Sequence, residues 1–149
     1  MNKIKRTGLV MALFMVAMGI VGARATLDLR YYYTREAADF FLQSLTTDEV
    51  AAYIRNQWLD FGFLCSYSTL FFFLAEKFYP QNRRLVWSSL VPGAFDFVEN
   101  CVMLFLLYDL STRTAPWWLG WVTCLKWTTG AIYVAVLLWG RIRMARQSQ

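Results

Sequence analysis

The sequence predicts an all-α integral membrane protein, a bundle of four transmembrane helices with a short helical segment outside the membrane between helices 1 and 2. Composition supports this class, because 58 % of the 149 residues are hydrophobic, whereas soluble domains are typically about 45–50 % apolar. The apolar residues also form four runs near the length of about 20 residues that a bilayer requires. We therefore expect one transmembrane domain over residues 1–149, with the lipid bilayer as its main partner.

The first apolar run covers residues 8–24 and follows the basic residues Lys3, Lys5 and Arg6. A basic start, a brief apolar run and the ending Ala23-Arg24-Ala25 are typical of a cleavable secretory signal. The alternative is a retained first transmembrane helix of about 16–18 residues. We interpret the run as a retained helix, and cleavage after Ala25 is the competing interpretation.

A surface helical segment is predicted at about residues 34–55. Thr34 can cap a short helix whose apolar residues share one side. These residues are Ala38, Phe41, Leu42 and Leu45. Thr46 and Glu49 then have the spacing of a capping box, so a second helix is expected to start there and continue without a break into the second span.

The other three spans are predicted at about residues 56–79, 85–108 and 116–140. Pro80 ends the second span, and Pro116 begins the fourth. Pro92 lies inside the third span, where it removes one backbone hydrogen bond, so a kink is expected one turn before Asp96.

Basic residues are distributed unequally between the two sides of the predicted membrane. Nine lie on the side of both termini: Lys3, Lys5, Arg6, Lys77, Arg83, Arg84, Arg141, Arg143 and Arg146. Five lie on the other side: Arg24, Arg30, Arg35, Arg55 and Arg113. The positive-inside rule therefore predicts a multi-pass protein of the cell inner membrane with cytoplasmic N and C termini. Because the basic residues flank apolar runs and line no single face, no nucleic-acid partner is expected.

Five polar residues of the predicted helices are the candidate site. Asp96, Glu99 and Asn100 share one face of the third helix, since they are spaced i, i+3 and i+4. Lys126 of the fourth helix lies at the depth of Glu99, so we expect these two to form an ion pair. Asp60 is expected nearer the outer surface, about 6 Å into the second span at 1.5 Å per residue. Three carboxylates facing one ammonium imply that a carboxyl is protonated or that a cation enters.

Several roles for this cluster remain open. It could fix the register of the helices, line a ligand or substrate pocket, or form an ion or proton path. An oxygen-ligated Ca²⁺ or Mg²⁺ site built from Asp60, Asp96, Glu99 and Asn100 is conceivable, but no metal or other cofactor is predicted. The chain has no histidine and three cysteines. We expect the cysteines, Cys65, Cys101 and Cys124, to be free small residues of a helix core.

Short motifs along the chain resemble a family of small bacterial membrane proteins with four spans and no assigned reaction. The motifs are Leu27-Asp28-Leu29-Arg30, Tyr33-Thr34, Asp60, Phe95-Asp96-Phe97-Val98-Glu99-Asn100 and Lys126-Trp127. The resemblance implies a four-helix bundle in which these polar residues form a shared site. The chain departs from the family in lacking a proline shortly after Asp60, which implies a straighter second helix.

The function expected from these features is binding of a small polar or amphipathic ligand, such as a lipid, in a pocket open to the non-cytoplasmic side. Two alternatives remain. The first is a membrane enzyme that uses Asp96 or Glu99 as acid or base, with Lys126 as the electrostatic partner. The second is a structural subunit of a larger membrane complex, as a homo- or hetero-oligomer.

Overall fold

The computed structural model describes residues 2–21, 26–109 and 114–147, and no strand occurs within these ranges. The helices are α1 (Lys3–Val21), α2 (Arg35–Ser44), α3 (Thr47–Phe78), α4 (Arg83–Ser88), α5 (Val91–Tyr108) and α6 (Leu119–Gln147), with a 3-10 turn at Leu27–Leu29. Four stretches are long and apolar enough to cross a membrane: α1, α3, α4 with α5, and α6. The predicted all-α fold with four spans is confirmed, and the chain is a multi-pass membrane protein.

Helix α1 lies at the side of the bundle. It begins at Lys3, earlier than the predicted run 8–24, and none of its side chains is buried. It packs along α3, where a Cβ added at Gly62 would lie 2.2 Å from the ring of Phe14. The sequence Ala23-Arg24-Ala25, on which the signal-peptide interpretation depends, lies outside the described residues.

The predicted surface segment 34–55 consists of α2 and the first turns of α3. The hydroxyl of Thr34 accepts a hydrogen bond from the backbone N–H of Ala37 (3.3 Å), which confirms the predicted cap of α2. Thr46 and Glu49 form the predicted capping box at the start of α3. From there α3 continues unbroken through the second span, as predicted.

Helix α2 covers one end of the bundle, which we call the α2 end. Its residues Ala38 and Leu42 are fully buried. They belong to a hydrophobic cluster together with Leu27, Tyr33, Val50, Tyr53, Met103, Leu106, Leu107, Ala115 and Leu119. Since these residues come from α2, α3, α5, α6 and the connections between them, the segment between helices 1 and 2 is packed onto the bundle as part of its core.

The third span, for which a kink was predicted one turn before Asp96, is interrupted at residues 89–90, so that Pro92 lies in the first turn of α5. The interruption leaves the carbonyl of Leu85 without its helical partner. This carbonyl accepts hydrogen bonds from the hydroxyls of Tyr133 and Ser88, the latter at 2.9 Å. Backbone groups within a bilayer cannot form hydrogen bonds with water, so these two hydroxyls stabilise the interruption of the helix.

Helix α6 differs from the predicted fourth span of 116–140 at both ends. It begins at Leu119, whose N–H donates to the carbonyl of Pro116 (3.1 Å) in the preceding turn. It ends at Gln147, because the basic tail is rich in Arg, Met and Ala, which are good helix formers. Arg113, counted above for the topology, lies outside the described residues, as does Arg24.

Candidate functional site

A group of polar side chains, buried except for the half-buried Tyr67, lies between α3, α5 and α6, and we call it the polar cluster. Its members are Tyr33, Gln57, Asp60, Tyr67, Asp96, Glu99, Asn100, Thr123 and Lys126. The structure therefore brings together all five predicted site residues. Each of the five is at most 9 % exposed, and Glu99 and Asn100 are fully buried.

Helical spacing places these side chains on facing surfaces. Asp96, Glu99 and Asn100 lie on one face of α5, as their spacing predicts. Thr123 and Lys126 are three residues apart on α6 and face the same interior. The cluster thus follows from the polar pattern of two antiparallel neighbours, with α3 as the third wall.

Lys126 is paired with two carboxylates. Its Nζ lies 2.5 Å from Oε2 of Glu99 and 3.2 Å from Oδ1 of Asp96. The first contact confirms the ion pair predicted from the sequence. The second arises because Asp96 and Glu99 lie one turn apart on the same face of α5. Two close carboxylates offset the cost of removing the ammonium from water, which is the condition for a buried ion pair.

Hydroxyl groups bond the other oxygens of these carboxylates. Oε1 of Glu99 accepts hydrogen bonds from the hydroxyls of Thr123 and Tyr33, the latter at 3.4 Å. Oδ2 of Asp96 accepts a hydrogen bond from the hydroxyl of Tyr67 at 2.9 Å. Each carboxylate thus has the ammonium on one oxygen and a hydroxyl donor on the other.

An amide chain connects Asp60 to the cluster. Nε2 of Gln57 donates to Oδ1 of Asn100 (3.1 Å), and Nδ2 of Asn100 donates to Oδ2 of Asp60 (2.7 Å). The shallow position predicted for Asp60 is wrong. The hydrogen bond places Asp60 level with Asn100, which lies about 12 Å from the C-terminal end of α5, deeper than the prediction for Asp60.

Four members of the cluster were not among the five predicted site residues: Tyr33, Gln57, Tyr67 and Thr123, the last of which precedes Lys126 by three residues on the same face of α6. Gln57 precedes Asp60 by three residues and Tyr67 follows it by seven, so both lie on its face of the helix. This spacing could have identified them. Tyr33 lies in the connection between α1 and α2, where no periodic pattern indicates the direction of its side chain.

A cavity of about 580 Å³ lies beside the polar cluster, and we call it the cluster cavity. Asp96 and Lys126 line it together with apolar and aromatic residues, among them Phe63, Tyr67, Phe71 and Trp127. Trp127 and Val134, which also lines it, are each 43 % exposed. The cavity therefore opens at the outer surface of the bundle, at the level of the middle of α6.

In the predicted topology, the pocket expected at the non-cytoplasmic side would lie at the α2 end, and the cluster cavity lies elsewhere. On that side of Lys126, Glu99 and Thr123 are fully buried, and Met103 and Leu119 of the hydrophobic cluster are also fully buried. The cluster cavity lies on the other side of Lys126, toward Pro92. Among the described residues, α2 and its flanking residues pack onto this end of the bundle and cover it.

The structure identifies no metal centre in the part of the chain that it describes. No group of three or more Cys, Asp or Glu side chains in these ranges could hold a metal ion. The three cysteines are free, as expected. The expectation that they lie in a helix core is wrong for Cys65 and Cys101, which are exposed, because both are on faces of their helices that point away from the bundle.

Comparisons with known proteins were made for the whole chain. No family model, curated protein or solved structure matches it. The resemblance to small four-span bacterial membrane proteins therefore stays a prediction. The class of the protein is defined by its fold, which is that of a multi-pass helical membrane protein with a charged cluster between its helices.

Proposed function

We propose that the protein binds a small amphipathic ligand in the cluster cavity. The observation that supports this function is an ion pair, Lys126 with Asp96, in the wall of a cavity of about 580 Å³ whose other walls are mainly apolar and aromatic. Ligand sites are typically cavities of this size with a few polar groups in an apolar lining. The apolar part of the ligand packs against the aromatic walls, and its polar group bonds the ion pair.

The opening of the cavity determines which molecules reach it. Trp127, Ala131 and Val134 are exposed lining residues in the middle of a membrane-spanning helix. A ligand therefore enters from the hydrocarbon region of the bilayer, which selects molecules that already partition into lipid. This route supports an amphipathic ligand over a small, fully polar one.

Filling the cavity should remove the ligand. A Cβ added at Gly130, a lining residue, would have no atom within 4 Å, so a side chain there enters open space. We expect Gly130→Leu to fold normally and to lose most of the small molecule that co-purifies with the detergent-solubilised protein. Native mass spectrometry measures the bound mass in both proteins.

Gly19→Leu is the matched control for this experiment. A Cβ at Gly19 also meets no atom within 4 Å, but Gly19 lies on α1 and does not line the cavity. Equal ligand retention in Gly130→Leu and Gly19→Leu would contradict the proposed site. A co-purifying protein without a bound small molecule would favour the alternative of a structural subunit, and turnover of a bound molecule would favour the membrane enzyme.

We also propose that the protein resides in the cell inner membrane with both termini in the cytoplasm, on the basis of the basic-residue distribution. A fluorescent protein fused to the C terminus should fluoresce, since it folds only in the cytoplasm. Alkaline phosphatase fused at the same point should be inactive, since it requires the non-cytoplasmic side. Active phosphatase with a dark fluorescent fusion would reverse the orientation.

A further inference from the structure

A second cavity, of about 500 Å³, lies between α3 and α6 at the opposite end of the bundle from α2, and we call it the basic groove. Its lining includes the apolar residues Phe71, Leu74, Phe78 and Leu137 and the basic residues Lys77 and Arg141. Both basic residues are exposed and lie near the ends of the apolar spans. The groove is thus apolar along its length and positively charged at the level of the membrane interface.

The groove is short enough to lie within one leaflet of a bilayer. Val134 and Phe71 line both cavities, so the inner end of the groove meets the cluster cavity. Val134 and Arg141 are seven residues apart on α6, which corresponds to about 10 Å along the helix. One leaflet of the hydrocarbon core is about 15 Å deep, so an acyl chain whose headgroup lies near Arg141 covers the groove.

The charge of the groove is complementary to a phosphate. No acidic residue belongs to the lining of the groove in the part of the chain that the structure describes. A guanidinium can bond two oxygens of a phosphate at once, and an ammonium adds a compact positive charge. Basic pockets between transmembrane helices on the cytoplasmic side commonly bind anionic headgroups, and the proposed orientation puts the groove on this side.

We propose that one anionic phospholipid binds in the basic groove. Its phosphate lies between Lys77 and Arg141, and one acyl chain lies between α3 and α6 against Leu74 and Leu137. This lipid site adjoins the cluster cavity at Phe71 and Val134 but uses different polar groups, Lys77 and Arg141, so it does not depend on the proposed ligand site.

The test uses the full-length protein in detergent with added phosphatidylglycerol, which is anionic, or phosphatidylethanolamine, which has no net charge. Native mass spectrometry measures the lipid-bound fraction over a concentration series. We expect tighter binding of phosphatidylglycerol by the wild-type protein. In the variant Lys77→Gln/Arg141→Gln, we expect the affinity for phosphatidylglycerol to fall roughly 30-fold, the effect of two basic residues at a membrane surface.

The control variant is Arg83→Gln/Arg84→Gln, which removes the same charge from two exposed residues that do not line the groove. It should bind phosphatidylglycerol within about twofold of the wild type, because its two guanidinium groups lie outside the groove and cannot contact a phosphate held between Lys77 and Arg141, while exposed charges at a distance contribute little. An equal loss of phosphatidylglycerol affinity in both double variants would overturn the proposal. Equal binding of the two lipids by the wild-type protein would also overturn it, and this measurement requires no variant.

Gly130→Leu separates this proposal from the ligand site. It fills the cluster cavity and leaves the basic groove unchanged, so phosphatidylglycerol should still bind to it. Loss of phosphatidylglycerol in Gly130→Leu but not in Lys77→Gln/Arg141→Gln would place the lipid in the cluster cavity and overturn the groove site. Retention of the small ligand in Gly130→Leu, with lipid selectivity intact, would contradict only the proposed function.

Discussion

Replacing Lys126 with methionine should lower the free energy of unfolding by about 3–5 kcal/mol, the usual cost of removing one partner of a buried ion pair. The substitution leaves the carboxylates of Asp96 and Glu99 buried, at 4 % and 0 % exposed, without their shared ammonium. Thermal unfolding in a mild detergent, followed by tryptophan fluorescence, measures the loss. Lys5→Met, at an exposed position of α1, is the control and should unfold like the wild type.

A second set of variants distinguishes charge from packing at this site. Asp96→Asn with Glu99→Gln, added to Lys126→Met, removes the carboxylate charges while keeping the shapes of the side chains. Replacing all members of a buried ion-pair network is often neutral or stabilising, so the triple variant should regain most of the lost stability. A Lys126→Met protein as stable as the wild type would show that the ion pair does not stabilise the bundle.

Gly120→Ala should destabilise the protein by about 1–3 kcal/mol, the typical cost of inserting a methyl group into a packed core. A Cβ at this position would lie 1.9 Å from the backbone carbonyl oxygen of Tyr33, which cannot move by a change of rotamer. Displacing Tyr33 also weakens its hydrogen bond to Glu99. The same unfolding measurement in detergent detects the change.

Gly130→Ala is the matched control, because it is on the same helix and its Cβ would meet no atom within 4 Å. Alanine is preferred to glycine in a helix by about 1 kcal/mol, so this variant should be as stable as the wild type or more stable. Equal unfolding temperatures for Gly120→Ala and Gly130→Ala would contradict the close approach of α6 to the backbone at Tyr33.

The features that could be predicted from the sequence depend on helical periodicity and on the cost of burying charge. The spacing of Asp96, Glu99 and Asn100 was sufficient to place them on one face. Because an unpaired ammonium in hydrocarbon is energetically costly, the sequence was sufficient to predict that Lys126 pairs with Glu99. Both predictions concern residues within regular helices, where neighbours in space follow from sequence separation.

The features that could not be predicted depend on how irregular segments pack. The side chain of Tyr33 reaches Glu99 from a connection, 66 positions away in the chain. The packing of α2 onto the bundle end through Ala38 and Leu42 is a tertiary contact that no periodic pattern indicates. The depth of Asp60 was underestimated because helix length alone does not show where α3 enters the membrane.

The peripheral position of α1 determines what a shortened chain would retain. Every charged member of the cluster belongs to α3, α5 or α6, and α1 buries no side chain of its own. A mature form that started after Ala25 would therefore still contain all four charged residues of the polar cluster, Asp60, Asp96, Glu99 and Lys126. Such a form would lose Met11 from the cavity wall, which would widen the entrance from the lipid.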